Sequence, residues 1–430
     1  IFFYTSKHIL LNKTMTSIDQ SRQASLKKLT NSDVEAQVEI NDLEYKFPQD
    51  LNVVDSRNHI IVSSDKSSAT ATQTVQFKWN SGTSYVHPMN SYLKFTAQAT
   101  GANATFGTGS AANLIREIVV LSSGGVELDR INHFNLFHRD WVENNFQPEY
   151  INNQLQCMGF RKTSYNVPTA NSRTFIIPLW HLCGFFNRDK LLPNHLAAGL
   201  TVQITFATDK QALVVASATT FKVKDMEMVL DTYVLNNVIR RKMDAISASN
   251  GLEYWYVSNH ASQYTTSASS FNGEVSRAVS RALGAVAKVQ VDTEVDEQKE
   301  DWMRSESVGA GTGVTGLQWR LGALYLPNKQ LSDGVEMFMY SKYAHDKLRG
   351  YNSPDSVSLD HWKEDADRKA VFAVNLEKST VVGLSGLPMN NSRRLQCNLT
   401  FQAGGNRTIY IWLQYLRVAT CNLDHIKVSE

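Results

Sequence analysis

From about residue 51 onward the chain is written in short apolar runs separated by clusters of Gly, Asn, Ser and Pro. The runs His59–Ser63, Thr74–Trp79, Tyr92–Ala97 and Ile115–Leu121 have strand length and are rich in β-branched and aromatic residues, the side chains that suit a pleated, half-buried surface. The period is clearest at Leu200–Phe206, where Leu200, Val202, Ile204 and Phe206 alternate with Thr201, Gln203 and Thr205. Such a period of two places one face in a core and the other toward water. Helical periods are few: Asn135–Asn144, Ser341–Leu348 and Ser358–Lys369, with a helical linker expected at Asn236–Ala245. The pattern predicts an all-β protein with a few short helices in its loops.

The alternation returns downstream. Leu395, Cys397, Leu399 and Phe401 alternate with Gln396, Asn398 and Thr400, and both segments follow a Leu-Pro pair, Leu192-Pro193 and Leu387-Pro388. One offset of 195 residues relates Leu192/Leu387, Pro193/Pro388, Leu200/Leu395, Thr205/Thr400 and Phe206/Phe401. A repeat this long is a whole domain, because solenoid and propeller units run at roughly 20–50 residues. About 190 residues hold eight strands of roughly 5–6 residues plus long loops, the content of an elaborated jelly roll. The expected layout is an N-terminal arm over 1–45, a first eight-stranded β-sandwich over 46–235 and a second over 236–430. The stretch Thr293–Gly316, acidic and then glycine-rich, is expected to be an exposed, mobile loop.

Composition fits two cores: 42% of the 430 residues are hydrophobic and 20% charged, near the globular average. Forty-three Lys and Arg against forty-one Asp and Glu leave +2, without the basic excess of a protein that coats phosphates; no sequence-specific nucleic-acid binding is expected. The arm carries Arg22, Lys27 and Lys28 beside Leu26 and Leu29, a weakly amphipathic texture. Met15 is a plausible initiator, which makes residues 1–14 candidate upstream sequence. No run reaches the roughly 20 apolar residues of a membrane span. Cys157, Cys183, Cys397 and Cys421 form no C-x-x-C pair and are expected as reduced, partly buried thiols.

Candidate chemistry is thin. Gly311, Gly313 and Gly316 match G-x-G-x-x-G, but an acidic stretch precedes them and the strand-like Leu317–Leu326 follows, whereas pyrophosphate binding needs a strand before and a helix N-terminus after. No H-E-x-x-H, Walker or G-x-S-x-G sequence occurs,. Asp360, Glu364, Asp365 and Asp367 lie among Lys363, Arg368 and Lys369, as on a solvated helix face. Trp79, Trp255, Trp319 and Trp412 fall in strand-like runs and are expected to pack in or on sheets. The sequons at Asn12, Asn103, Asn390, Asn398 and Asn406 are frequent-residue coincidences unless the chain is secreted. No catalytic, cofactor-binding or metal residue is assigned.

Three segments carry a resemblance. IIPLWHLCGFFNRDKLLPNHLAAGLTVQITF, residues 176–206, resembles the F-to-G strand region of double jelly-roll major capsid proteins: Ile177, Pro178 and Leu179 match its opening, Leu192 and Pro193 its middle, and Val202, Ile204 and Phe206 its strand. REIVVLSSGGVELDRINHFNLFHRDWVENN, with Gly124-Gly125 followed by Glu127, Leu128, Asp129 and Arg130, resembles the hairpin-then-helix segment of the same family, and paired glycines suit a turn that needs positive φ. WRLGALYLPNKQLSDGVEMFMYS, residues 319–341, is similar to the capsid proteins of polinton-like viruses and virophages; the nucleocytoplasmic large DNA viruses are more distant kin.

The resemblance implies a non-enzymatic shell protein without cofactors. It implies pseudo-hexameric homotrimers tiling an icosahedral shell around double-stranded DNA, in a virion assembled in the host cytoplasm or nucleus. Penton and minor capsid proteins are the implied partners, with an internal membrane reached through the arm, where Arg22, Lys27 and Lys28 would touch the inner layer. Two other readings stay open: a glycan-binding attachment protein, which needs exposed aromatic platforms, and a glycan-cleaving enzyme, which needs a cleft with perturbed carboxylates.

Overall fold

The computed structural model describes residues 53–430 except 101–104, 107–109, 161–164, 167–171, 215–219, 250, 292–304, 309–312, 347–356, 364–367, 380–384, 391 and 423–425. The first half contributes strands β1 (Val54–Ser63), β2 (Ser68–Thr70), β3 (Thr74–Lys78), β4 (Tyr85–Thr100), β5 (Thr105–Phe106), β6 (Ile115–Leu121), β7 (Glu127–Asn132), β8 (Tyr165–Asn166), β9 (Ser172–Pro178), β10 (Thr201–Phe206), β11 (Leu213–Val214) and β12 (Thr220–Leu235). The second half contributes β13 (Leu252–Thr266), β14 (Ser270–Val275), β15 (Val279–Val291), β16 (Val314–Leu321), β17 (Leu324–Leu331), β18 (Phe372–Asn375), β19 (Leu387–Met389), β20 (Leu395–Phe401), β21 (Arg407–Cys421) and β22 (Ile426–Ser429). Three longer helices are α1 (Phe134–Asn145), α2 (Asn237–Ser249) and α3 (Gly334–Asp346).

The strands form two tandem jelly-roll sandwiches, here called rolls one and two. In roll one the sheets run β1-β12-β4-β9 and β3-β10-β6-β7; in roll two they run β13-β21-β15-β18 and β14-β20-β16-β17. Lettering the eight principal strands of each roll B to I gives B-I-D-G and C-H-E-F both times, with antiparallel pairing throughout these ladders. This is the two-sheet arrangement by which an all-β chain buries one face of each sheet against the other. The small strands β5, β8 and β11 make a separate sheet at the loops of roll one.

The period-two segments occupy the same place in both rolls. In β10, Val202, Ile204 and Phe206 are buried and Thr201, Gln203 and Thr205 half-exposed; in β20, Leu395, Cys397, Leu399 and Phe401 are buried. Both are strand H. The Leu-Pro pairs also correspond: Leu192 bridges to Val86 and Leu387 pairs with Ala282, and each of those partners lies in strand D. Each roll has its own core. Phe77, Trp79, Phe95, Phe175 and Phe206 anchor the first, and Trp319, Trp362, Phe372, Leu399 and Ile411 the second.

Several expectations need correction. The stretch 176–206 runs from strand G to strand H, because the helical excursion after strand F, with α1 at its head, comes before β9. Tyr92–Ala97 is the centre of a longer strand, β4, in which the ladder to β12 is bulged between His87 and Tyr92. Leu317–Leu326 spans a hairpin turning at Gly322, whose φ of 61° suits glycine,. Helix α3 starts at Gly334, well before Ser341, because the Asp333 carboxylate accepts from the Val335 backbone N–H at 3.2 Å and caps it,. Within Thr293–Gly316, Ser305, Glu306 and Val308 are buried and Val314 already belongs to β16; residues 293–304 and 309–312 lie outside the described residues. The helix after Ser358 covers Leu359–Lys363, and Glu364, Asp365 and Asp367 lie outside the described residues.

Candidate functional site at the junction of the two sandwiches

The largest concentration of buried polar chemistry lies where the rolls meet. The tight β6-β7 hairpin, closed by Gly125 at φ 79°, delivers strand F of roll one to the edge of roll two. There the Asp129 carboxylate accepts from Ser258 Oγ at 2.5 Å and from the Phe185 backbone N–H at 3.0 Å. The neighbouring Leu128 carbonyl accepts from Arg417 Nη1 at 2.6 Å and from the Tyr256 hydroxyl. Ser258 and Tyr256 belong to β13 and Arg417 to β21, so adjacent residues of one strand in roll one are held by two strands of roll two. Burial pushes the Asp129 carboxyl up from its ordinary range, opposed by Ser258, the Phe185 N–H and Arg417. Such a group is tolerated inside only because its lone pairs are occupied.

Beside it, Gly184 passes so close to β13 that a Cβ there would stand 1.6 Å from the Val257 carbonyl oxygen. Tyr254 donates its hydroxyl hydrogen to the Phe185 carbonyl at 3.0 Å. The Phe185 ring sits edge-on to Tyr256 with centroids 5.1 Å apart, a favoured aromatic geometry.

Helix α1 makes the third contact. Its inner face carries Phe134, His138 and Val142 into roll one. Its other face lies on the outer surface of roll two's B-I-D-G sheet. Leu136 packs with Tyr410 and Trp412, and Trp412 Nε1 donates to the Asn132 carbonyl at 3.3 Å. Asp140 meets Lys288 Nζ at 2.7 Å, Asn144 Oδ1 accepts from Lys342 Nζ at 3.1 Å, and Glu143 is 3.2 Å from both Arg139 and Lys369. Burial raises the Asp140 carboxyl against the pull of Lys288. At Glu143 burial also pushes upward, but Arg139 and Lys369 outweigh it and hold the carboxyl below its usual range. Behind α1, His138 Nε2 and His181 Nδ1 are 3.0 Å apart and deeply buried. Burial takes His138 down to about 3 and His181 well below the ordinary histidine value.

What this arrangement does is mechanical. Directional bonds across three contacts, with charged partners at the first and third, select one orientation of roll one on roll two, where an apolar seam alone would tolerate sliding.

The residues singled out from sequence fall elsewhere. Gly313 directly precedes strand β16 and Gly316 lies within it, so no helix N-terminus follows the glycines as the dinucleotide geometry needs; Gly311 lies outside the described residues, as do Arg22, Lys27 and Lys28. Asp360 is exposed on its short helix. Among the described residues no group of three or more His, Cys, Asp or Glu is placed to hold a metal, and no helix is long and apolar enough to cross a membrane. All four cysteines are unpaired, Cys157 exposed and the other three buried. Trp79, Trp319 and Trp412 are buried as expected. Trp255 stands on strand β13 and is 37% exposed, with the Arg188 guanidinium over its ring at 3.2 Å, which occupies a face that a sugar would need. Asn390 and Asn406 are exposed, Asn398 sits in β20, and Asn12 and Asn103 lie outside the described residues.

No protein-family model matches the sequence, and no curated protein does. Solved structures do match. The chain is similar to the Faustovirus major capsid protein, with 9% identity and TM-score 0.65 over 97% of this chain and 98% of that one. It is similar to PBCV-1 VP54, as fitted into a reconstruction of the virophage Sputnik, with 12% identity and TM-score 0.63 over 90% and 99%. It is also similar to a chain of the Sputnik virophage structure, with 9% identity and TM-score 0.59 over 90% and 91%. At these identities the likeness establishes the fold: a tandem double jelly roll of the kind found in viral major capsid proteins.

Proposed function

We propose that this chain is a viral major capsid protein that forms pseudo-hexameric homotrimers and, through them, an icosahedral shell around a double-stranded DNA genome. The observation that carries the proposal is the junction: two jelly rolls in one chain locked in a single orientation by buried polar contacts. A rigid pair is what a tile requires. Three copies then supply six similar sandwiches, an outline that packs in a plane without gaps, and a homo-oligomer of this kind closes by rotational symmetry. Over 46–235 and 236–430 the chain would contribute its two rolls, and 1–45 would face the inside of the shell, toward minor capsid proteins or an internal membrane. Penton proteins would close the vertices. The resemblance of residues 319–341 favours polinton-like viruses and virophages as the nearest kin. The near-neutral charge of +2 supports a shell that encloses nucleic acid over a protein that coats it.

Light scattering on the purified full chain tests this. The expected result is a stable three-chain particle that associates further into sheets or shells as salt and crowding change. A single-chain mass at every concentration would sink the function while leaving the fold intact.

A further inference from the structure

The two rolls repeat the surfaces that join them as well as their strands. Helix α1 follows strand F of roll one and α3 follows strand F of roll two. On α1 the buried His138 and Val142 face roll one, while Leu136 and Asp140, each two positions earlier, face roll two with Asn144 one turn on. On α3 the buried pair is Met337 and Ser341, and the residues two positions earlier, with one turn on, are Val335, Met339 and Tyr343. Residues two apart on a helix are separated by about 200°, so this second stripe holds the place on α3 that the docking stripe holds on α1. It is apolar and open: Val335, Met339 and Tyr343 are 44%, 43% and 54% exposed.

The receiving surface is repeated too. In roll two α1 lands on Trp412 with Ala261 beside it, in the paired row Ala261, Trp412, Val286 across strands B, I and D; its Asp140 takes Lys288, two residues beyond Val286, while Val286 itself packs with Val371, Ala373 and Ala344. The D-strand partners of the two Leu-Pro leucines, Val86 and Ala282, face Thr232 and Tyr415 on strand I. Three residues before these stand Val229 in roll one and Trp412 in roll two. Val229 lies in the row Ile61, Val229, Tyr92, and Lys94 follows Tyr92 by two residues as Lys288 follows Val286. Ile61 is 62% exposed, Tyr92 half-buried and Lys94 42% exposed.

We propose that the α3 stripe Val335, Met339, Tyr343 docks on the Ile61, Val229, Tyr92 row of a second copy of this chain, repeating between subunits the contact that α1 makes within one. This rests on the reading of the chain as self-assembling and adds which surfaces meet. The contact is head to tail: every copy gives one surface and receives on the other, so a closed ring leaves none of them uncovered.

The test uses two full-length chains carrying different tags and co-expressed, one with Met339→Cys and one with Ile61→Cys, each with the exposed Cys157 replaced by Ser. Mild oxidation is expected to join the two different chains and neither chain to itself, and a chain carrying both cysteines to give covalent products ending at three. Met339→Asp is expected to reduce the assembly to single chains that keep the wild-type circular-dichroism spectrum, because the side chain it replaces is exposed within one chain. Absence of the mixed cross-link, or a full-size assembly from Met339→Asp, overturns the inference and leaves self-assembly standing. A wild-type protein that is itself a single chain removes both. If Met339→Cys is shielded from a maleimide only while residues 1–45 are present, with the assembly unchanged by their removal, that segment is the occupant and the inference is wrong.

Discussion

Lys288 of strand β15 and Asp140 of helix α1 form an ion pair of 2.7 Å whose side chains are only 2% and 8% exposed, and it joins the two sandwiches in a buried position. Removing one partner of a buried pair strands the other charge, at a cost of about 3–5 kcal/mol, whereas replacing both by apolar groups is often close to neutral. Asp140→Ala is therefore expected to lose about 3–5 kcal/mol in urea unfolding. Lys288→Met should lose less, because the Asp140 carboxyl, already pushed up by burial, can take a proton. The double replacement Asp140→Leu with Lys288→Met should recover most of the loss. A double replacement as damaging as Asp140→Ala would show that the pair does not act as a unit.

Gly184 is expected to be the least replaceable glycine at the junction. Its missing side chain leaves room for the Val257 carbonyl, and nothing on either backbone can yield without parting the rolls. Gly184→Ala should cost more than about 2 kcal/mol, in the range of overpacking at a rigid contact. Gly124→Ala, which meets only Ser122 Oγ at 3.9 Å, serves as the control and should unfold within about 0.5 kcal/mol of wild type.

The tryptophans separate in the same way. Trp412→Ala removes a fully buried ring from the α1 contact and should cost about 3–5 kcal/mol,. Trp255→Ala removes a partly exposed ring capped by Arg188 and should cost no more than about 1 kcal/mol, the scale of an exposed cation–π contact,. Equal losses measured by thermal unfolding would contradict this placement of the junction.

Acid should weaken the fold around α1. His138 and His133 are held neutral by burial, His138 down to about 3 and His133 to about 4, the latter also under the influence of Arg116. The unfolded chain binds a proton on each near pH 6.5 and the folded chain does not. Stability is therefore complete above about pH 6.5 and falls as pH drops toward the folded values, by about 1.4 kcal/mol per pH unit for each fully titrating histidine. Unfolding free energies measured at pH 7, 6 and 5 should decline, and His138→Asn should flatten the decline. An unchanged slope in that variant would remove His138 as a cause.

Much of the fold is legible in the sequence where a single side-chain period is enforced by one buried face. β10 and β20 alternate because each has a core on one side, and their repeat at 195 residues marks the duplication; the structure adds that both are strand H and that both Leu-Pro pairs touch strand D. The junction was not legible in the same way. Leu128, Asp129, Gly184, Phe185 and the helix from Phe134 all stand in two of the three segments that carry the family resemblance, yet Asp129 and Ser258 are 129 residues apart and Asp140 and Lys288 are 148 apart. Nothing local marks a polar residue whose partner arrives from another sandwich. Trp255 shows the converse limit: alternation placed it in a strand, but which face of that strand is covered depends on roll one. Glu306 was hidden by an acidic surrounding, although its carboxylate pairs with Arg407 at 2.9 Å in a buried position.

The most direct test of the whole account is electron microscopy of the purified full chain under conditions where it associates. Three-fold particles with six sandwich densities around the axis, packed edge to edge in hexagonal sheets or closed shells, are the expected result. Two-fold particles, or single chains that never order at any concentration or salt, would contradict it.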